Sequence, residues 1–389
     1  MPSARSRSSK SKPRLGVAMI GHAFMGRAHS NAYRQAGHFF DLPFEVVPQV
    51  VVGRDPKRAE AARQKFGFVE SSADLEAVLA RDDIDLIDIA TPNDTHTELA
   101  IAALNAGKHV MCEKPIALDL KSAKAMSRVA HSAQKKHGAR VGVWHNYRRS
   151  PATTLAQKII ARGDLGKIRQ VRAVYLQDWL SSKDAPWSWR NQASICGSGA
   201  HGDLNAHLID MTRFLTGLEF DEVCGMQETF IKRRVDSNGK RRAVDVDDAF
   251  CFLARLSNGA LGTFEATRTA PGRKNHNQIE VHGETGSLRW NLERMNELDV
   301  FLSDEPGDTQ GFRTVLCNDD CHPYAPNWWP DGHHLGYEHT FVHTLVDFLT
   351  ALSKKKRFRP DFEDGVAVQA VLEASMKSAG TGRSTKVAR

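Results

Sequence analysis

The sequence predicts an α/β chain: an N-terminal doubly wound parallel sheet, then an α+β unit built on one large, mainly antiparallel open sheet. Three observations carry this. Apolar strand-like runs alternate with helical patterns from Arg14 to about Trp144. After Pro151 the alternation stops, and strands follow in series from Glu222 to Leu302 without helices between them. A chain of 389 residues also exceeds what one hydrophobic core usually holds.

In the first half, residues 15–20 read as a strand and a helix begins near Phe24. Residues 46–52 are the second strand and 57–66 its helix. A third strand over 86–90 ends at Thr91-Pro92-Asn93, and the helix over 96–105 stops at Ala106-Gly107, where glycine can take the left-handed turn. A strand over 109–112, a helix over 122–135 and a strand over 141–144 close the sheet.

In the second half, a helix over 152–162 leads to a strand over 171–177, a tryptophan-rich loop and a helix from about Asp203 to Leu215. Strands over 224–231, 250–256, 261–266, 278–282, 286–290 and 297–301 read as one antiparallel sheet. A last helical stretch covers 337–352.

Hydrophobic residues at 41% and charged residues at 25% are ordinary for a soluble enzyme. The net charge of +7 is concentrated in Arg5, Arg7, Lys10, Lys12 and Arg14 and in Lys354-Lys355-Lys356-Arg357. Both blocks read as solvated segments, which argues against a nucleic-acid partner. No apolar run approaches the roughly 18 residues of a membrane span. The basic start is followed by no apolar stretch, so it is not read as a secretory signal. Six scattered cysteines fit free thiols in a reducing cytoplasm, the expected location.

Three short motifs define one candidate site. Gly21-His22-Ala23-Phe24-Met25-Gly26 follows the first strand, where a glycine turn brings backbone close to a dinucleotide pyrophosphate at a helix N-terminus. Ala23 stands at the middle glycine, so the motif is a variant. At the end of the second strand an acid selects NAD, whereas arginine beside a small residue accommodates the 2′-phosphate of NADP. Gly53-Arg54 favours NADP, with Asp55 as the acid that keeps NAD open.

Thr91-Pro92-Asn93, with His96 after it, and Glu113-Lys114-Pro115 both follow strands at the carboxyl edge of the sheet. Lys114 is placed to hydrogen-bond a reacting hydroxyl; the alternative is a lysine paired with Glu113. Asp203 and His207 stand four apart, on one helix face, with Asp210 continuing that stripe. His207 suits general-base work, taking a hydroxyl proton as hydride leaves carbon, with Asp203 orienting the substrate. Tyr147 and Arg148 follow the last strand of the first sheet and are expected in the cleft. Gln177, Trp179, Trp187, Trp189 and Arg190 interleave stacking surfaces with donors, a mix that suits a sugar ring, and residues 273–276 form a plausible rim. Cys317, Cys321, His322 and the histidines downstream match no zinc spacing, so no metal is expected.

The glycine turn, Thr-Pro-Asn, Glu-Lys-Pro and Asp-x-x-x-His-x-x-Asp, in this order, resemble the Gfo/Idh/MocA family of oxidoreductases. The resemblance implies a Rossmann domain and a catalytic trio of Lys114, Asp203 and His207. It also implies a secondary alcohol of a sugar or cyclitol as substrate, and a homo-oligomer, dimer or tetramer, formed through the open sheet. Further segments, among them Phe24-Met25-Gly26-Arg27-Ala28-His29-Ser30, Asn146-Tyr147-Arg148-Arg149 and Val244-Asp245-Val246-Asp247-Asp248, resemble family members that oxidise levoglucosan-like anhydro-sugars with NAD.

The expected division is a disordered basic tail over 1–13, a dinucleotide-binding unit over 14–145 and a substrate-binding and oligomerisation unit over 146–389. The expected activity is an NAD(P)-dependent dehydrogenase of a sugar, anhydro-sugar or cyclitol. Two alternatives are a glycoside hydrolase that oxidises its substrate transiently and recycles bound NAD, and a non-catalytic nucleotide-binding regulator.

Overall fold

The computed structural model describes residues 11–388. Residues 1–10 of the basic tail therefore lie outside the described residues. Of the rest of that tail, expected to be disordered, Lys12 pairs with Asp41 and the Pro13 carbonyl accepts the Glu45 N–H.

The first sheet contains β1 (Arg14–Ile20), β2 (Glu45–Val52), β3 (Glu70–Ser72), β4 (Leu86–Ile89), β5 (His109–Cys112) and β6 (Val141–Val143). All pairs are parallel, in the order β3-β2-β1-β4-β5-β6. The linking helices are α1 (Phe24–Phe39), α2 (Pro56–Phe66), α3 (Leu75–Leu79), α4 (His96–Asn105) and α5 (Leu120–His137). Strand order reverses between β1 and β4, which opens a crevice at their carboxyl ends. The strands are buried on both faces, so they read as continuous apolar runs. β3 and α3 were not legible because three and five residues show no period.

The chain continues through α6 (Pro151–Ala161), β7 (Gln170–Leu176), a short α7 (Ala193–Cys196) and α8 (Ala206–Thr216). It then forms β8 (Phe220–Glu228), the hairpin β9 (Arg233–Val235) and β10 (Arg241–Ala243), β11 (Ala249–Leu256) and β12 (Leu261–Thr267). β13 (His276–His282), β14 (Gly286–Asn291), β15 (Glu297–Leu302), β16 (Arg313–Leu316), α9 (Tyr337–Ser353), α10 (Phe362–Thr381) and β17 (Thr385–Lys386) complete it.

Nine of these strands form a second sheet, ordered β16-β15-β14-β13-β7-β12-β11-β8-β17. It is mixed rather than purely antiparallel: β7 is inserted at its middle, parallel to β12 and antiparallel to β13. One face packs against helices. Along β11, Phe250, Phe252, Ala254 and Leu256 point into that core, while Cys251 and Leu253 point out. The outer face leaves Met226, Leu253, Leu261 and Leu316 more than half exposed.

Residues 337–352 are not the last helix. α10 follows, and its Val368, Val371 and Leu372 join the core under the second sheet while Phe362 joins the core of the first. Buried residues occur on most sides of α10, so it shows no amphipathic stripe. Among the described residues no helix is long and apolar enough to cross a membrane.

The interior of the first unit holds an ionised group. His29, on α1, is fully buried against Asp88 on β4 and Glu113 beyond β5, with Trp144 stacked on its ring, Phe341 tilted against it and Tyr33 hydrogen-bonded to Asp88. Burial alone would lower its pKa, but the Asp88 and Glu113 carboxylates hold it up to about 9, from 6.5. A raised folded-state value means that this stabilisation is fully present below pH 6.5 and lost as pH rises through about 9. The melting temperature should therefore fall between pH 7 and 10, and fall less in Asp88→Asn. Equal slopes in thermal melts would contradict this.

Candidate active site

The carboxyl ends of β1, β4 and β5 face the helix layer of the second sheet across a cleft of about 620 Å³. The first wall comes from the turn between β1 and α1. Gly21 sits at φ 98°, and a Cβ there would come within 2.6 Å of the Ala90 carbonyl, so only glycine fits this crossing. Ala23, Phe24 and Met25 line the cleft. α1 begins at Phe24 with no side-chain cap and no acid in its first turn. Its unpartnered N–H groups fit a pyrophosphate.

Thr91, Pro92 and Asn93 line the same cleft, with the Asn93 amide donating to the Cys196 carbonyl. His96 does not line it. Its ring is buried between the carbonyls of Thr91 and Pro115, each 2.9 Å away, and so ties the two strand-end loops together. Burial holds His96 below its usual pKa, and a neutral ring donates to one of the two carbonyls.

Gly53 and Arg54 also lie outside the cleft lining, at the end of β2. The His22 ring fills the space beside Gly53: a Cβ there would stand 2.9 Å from its Nε2. Arg54 is exposed. Asp55 is engaged elsewhere, accepting the N–H groups of Lys57 and Arg58 as the cap of α2.

Lys114 pairs across the cleft with Asp203 rather than with its neighbour Glu113. Its Nζ donates to the Asp203 carbonyl (2.6 Å) and to Oδ1 (3.1 Å), which leaves one ammonium proton free for a ligand. Burial would raise the Asp203 pKa, but Lys114, Arg190 and Arg268 together bring it down to about 2.

Asp203 and His207 are not one α-helical turn apart as read from the sequence. Residues His201–Asn205 form a π-helical turn, and α8 begins only at Ala206. The wider turn still delivers both side chains to the cleft. The ring of His207 packs on Tyr147 (centroids 4.6 Å apart) and edge-on to His145 (5.7 Å). Burial, then Lys114 and His145, keep His207 well below its usual pKa, so it is a neutral imidazole at pH 7.

Tyr147 lines the cleft but Arg148 does not. Its guanidinium is buried and grips Asp210 through two bonds of 2.7 and 2.5 Å, clamping α8 from behind. A buried guanidinium needs acceptors that offset its charge, and the Asp210 carboxylate supplies them. Gln177, Trp179, Trp189 and Arg190 line the cleft. Trp187 instead packs on the β9–β10 hairpin, donating to the Ala243 carbonyl beneath Arg242.

The sequence reading passed over Tyr175, Tyr337 and Arg268, and placed Asn275 only on a rim; all four line the cleft. A chain of donors runs along one wall: Tyr147 to Tyr175 (2.8 Å) and Tyr175 to Asn275 Oδ1 (2.8 Å). The Gln177 amide donates to that same oxygen (2.7 Å) and Trp179 to Gln177 (2.9 Å). Period-two alternation continued past the end of β7 was the available signal, since Tyr175 and Gln177 stand two apart and both reach the cleft.

Asp247 seats the start of the π turn. Its carboxylate accepts the N–H groups of Gly199 (2.7 Å) and His201 (2.8 Å), and its carbonyl meets Arg268. A Cβ on Gly199 would stand 1.8 Å from that carbonyl oxygen and 2.7 Å from Arg268 Nη2. Gly199→Ala should therefore cost about 3 kcal/mol and move Asp203 out of place. Thermal melts and turnover check this; an unchanged melting temperature would contradict it.

Comparison with known proteins identifies the family. Residues 15–143 match the oxidoreductase family, NAD-binding Rossmann fold, and residues 153–289 match the GFO/IDH/MocA C-terminal domain. Levoglucosan dehydrogenase of Pseudarthrobacter phenanthrenivorans is 40% identical over 380 residues, 94% of this chain and 96% of that protein. This chain belongs to the Gfo/Idh/MocA oxidoreductase family. A crystal structure of an oxidoreductase domain protein from Kribbella flavida superposes with a TM-score of 0.95 at 47% identity, covering 97% of this chain and all of that one. Levoglucosan dehydrogenase in complex with NADH and levoglucosan superposes at 0.92 and 41% identity, covering 96% and 99%. Membership makes the chain an NAD-binding oxidoreductase.

Proposed function

We propose that the protein oxidises a secondary hydroxyl of a levoglucosan-like anhydro-sugar, or of a related sugar or cyclitol, to a ketone. The observation that carries this is the meeting of Lys114, Asp203 and His207 in the cleft entered by the uncapped α1 N-terminus. The α1 N-terminus and Gly21 fit the pyrophosphate; Thr91, Pro92, Asn93, Glu113 and Lys114 fit the nicotinamide end. When bound, the nicotinamide takes up the hydride.

The remaining roles belong to the chain. The free Lys114 proton points a hydrogen bond at the reacting hydroxyl. His207 is already neutral and, among the described residues, neither of its ring nitrogens has a hydrogen-bond partner. It can therefore accept the hydroxyl proton at once. Asp203, held ionised by three cations, accepts from a second hydroxyl and steadies Lys114. Gln177, Asn275, Trp179 and Arg190 hold the ring, with one amide N–H pair of Asn275 left for it.

NAD is the cofactor in this reading, supported by the NADH held by levoglucosan dehydrogenase. NADP is the second reading, favoured by the exposed Arg54 and by the use of Asp55 as a helix cap. The open sheet face bearing Met226, Leu253 and Leu261 supports a homo-oligomer, and six free thiols support a reducing, cytoplasmic setting. Initial rates of absorbance rise at 340 nm with NAD and NADP, across levoglucosan, glucose, inositols and simple glycosides, test the assignment. Reduction of NAD with levoglucosan is expected. A silent panel from a protein that binds cofactor would overturn the dehydrogenase reading in favour of a recycling hydrolase or a regulator.

A further inference from the structure

His29, Asp88 and Glu113 form a buried relay, of which only Glu113 has been given a role above. Both ring nitrogens of His29 face carboxylates: Nδ1 lies 3.1 Å from each Asp88 oxygen, and Nε2 lies 3.0 Å from Glu113 Oε1. With carboxylate acceptors, both contacts are hydrogen bonds only if the ring donates at both positions, which makes His29 an imidazolium, in keeping with its pKa raised to about 9. The carboxylates meet only donors. Asp88 also accepts from Tyr33 (2.9 Å) and Trp144 (2.9 Å), and the second Glu113 oxygen accepts the Lys114 backbone N–H (3.1 Å). Apart from the His29 nitrogens, the contacts of the two carboxyls are all donors, so a proton passed from the ring to either one would stay inside the relay and leave its total charge unchanged. Among the described residues no lysine or arginine pairs with either, since the Lys114 ammonium turns to Asp203. One cation and two anions leave the relay with a net charge of −1, in a region where screening by water is weak.

Asp88 and His29 are fully buried behind the cleft, and Glu113 is the only member that lines it. We propose that the Asp88–His29–Glu113 relay is a positioning and charge-setting element for the nicotinamide end of the cleft. It fixes Glu113, and through it the Lys114 backbone. The single negative charge it holds there favours the cationic oxidised ring over the neutral reduced one. The inference rests on the dinucleotide reading above. It adds that the apoprotein is built to prefer the oxidised cofactor before any substrate arrives, and that a residue outside the cleft sets that preference.

The test is the ratio of dissociation constants for NAD and NADH, by tryptophan-fluorescence titration of the wild type and Asp88→Asn. Asp88 does not itself line the cleft and meets the lining only through Trp144, whose indole N–H the asparagine Oδ1 can still accept, so this variant removes charge and leaves the contact surface in place. The expected result is NAD affinity weakened on the order of tenfold, with NADH affinity nearly unchanged. Loosened structure alone would weaken both together. A folded variant with an unchanged ratio overturns the proposal while leaving the dinucleotide reading intact; a wild type that binds neither form overturns both. If Asp88→Asn does not fold, nitrogen NMR of the wild type labelled with ¹⁵N-histidine decides. One imidazolium persisting at pH 8 is expected, and its absence overturns the proposal.

Discussion

His207→Ala should lower turnover by roughly 10²–10⁴-fold, the usual worth of a positioned general base, with a much smaller change in KM. The reason is geometric. His207 is 8% exposed, packed between Tyr147 and His145, and among the described residues no group competes for its ring nitrogens. The other titratable groups lining the cleft are engaged or unsuited: Glu113 already faces His29 and the Lys114 N–H. Lys114 is a donor, and Asp203 is held down to about pKa 2 and is a poor base. Tyr147 and Tyr337 are pushed well above their usual values by burial and remain phenols. Because the His207 pKa lies well below 6.5, the wild-type oxidation rate should not decline until the pH falls well below that value. Initial rates across pH, for wild type and variant, check both statements.

Lys114→Ala should cost roughly 10²–10³-fold in turnover, the scale for losing one preorganised donor at a reacting oxygen. It should also change the pH dependence. Lys114 is the foremost of the charges that lower the Asp203 pKa against the pull of burial. Without it the Asp203 value rises, so the ionised carboxylate is lost at a higher pH as the solution is acidified. The residual activity of Lys114→Ala should then decline on its acid side at higher pH than wild type does. A variant with near-normal turnover would show that the Lys114–Asp203 contact is only structural.

The parallel sheet was legible, β3 and α3 apart, because its central strands are buried on both faces and helical stretches separate them. The motifs at Gly21, Lys114 and Asp203 were legible for a related reason: they sit where strands or turns end, so backbone geometry brings them to one edge. Long-range pairing was not legible. Arg148 looked like a cleft residue because it follows Tyr147, but a buried guanidinium goes to its carboxylate, and Asp210 is 62 residues away. His29 likewise reads as one polar residue on a helix until Asp88 and Glu113 are brought to it from two strands. The π turn at Asp203 was hidden because spacing alone cannot tell four residues of α-helix from a widened turn. Its cause lies at Asp247, in a loop leading into a different strand. α10 was missed because it is packed from several sides and has no polar face to set off an apolar one.

The most direct measurement follows the hydrogen itself. A levoglucosan substrate deuterated at its ring carbons is incubated with the protein and NAD, and the reduced cofactor is analysed by mass spectrometry. Direct hydride transfer predicts one deuterium per reduced nicotinamide and a ketone in equal amount. Consumption of substrate with no released reduced cofactor, or reduced cofactor without deuterium, would contradict the account.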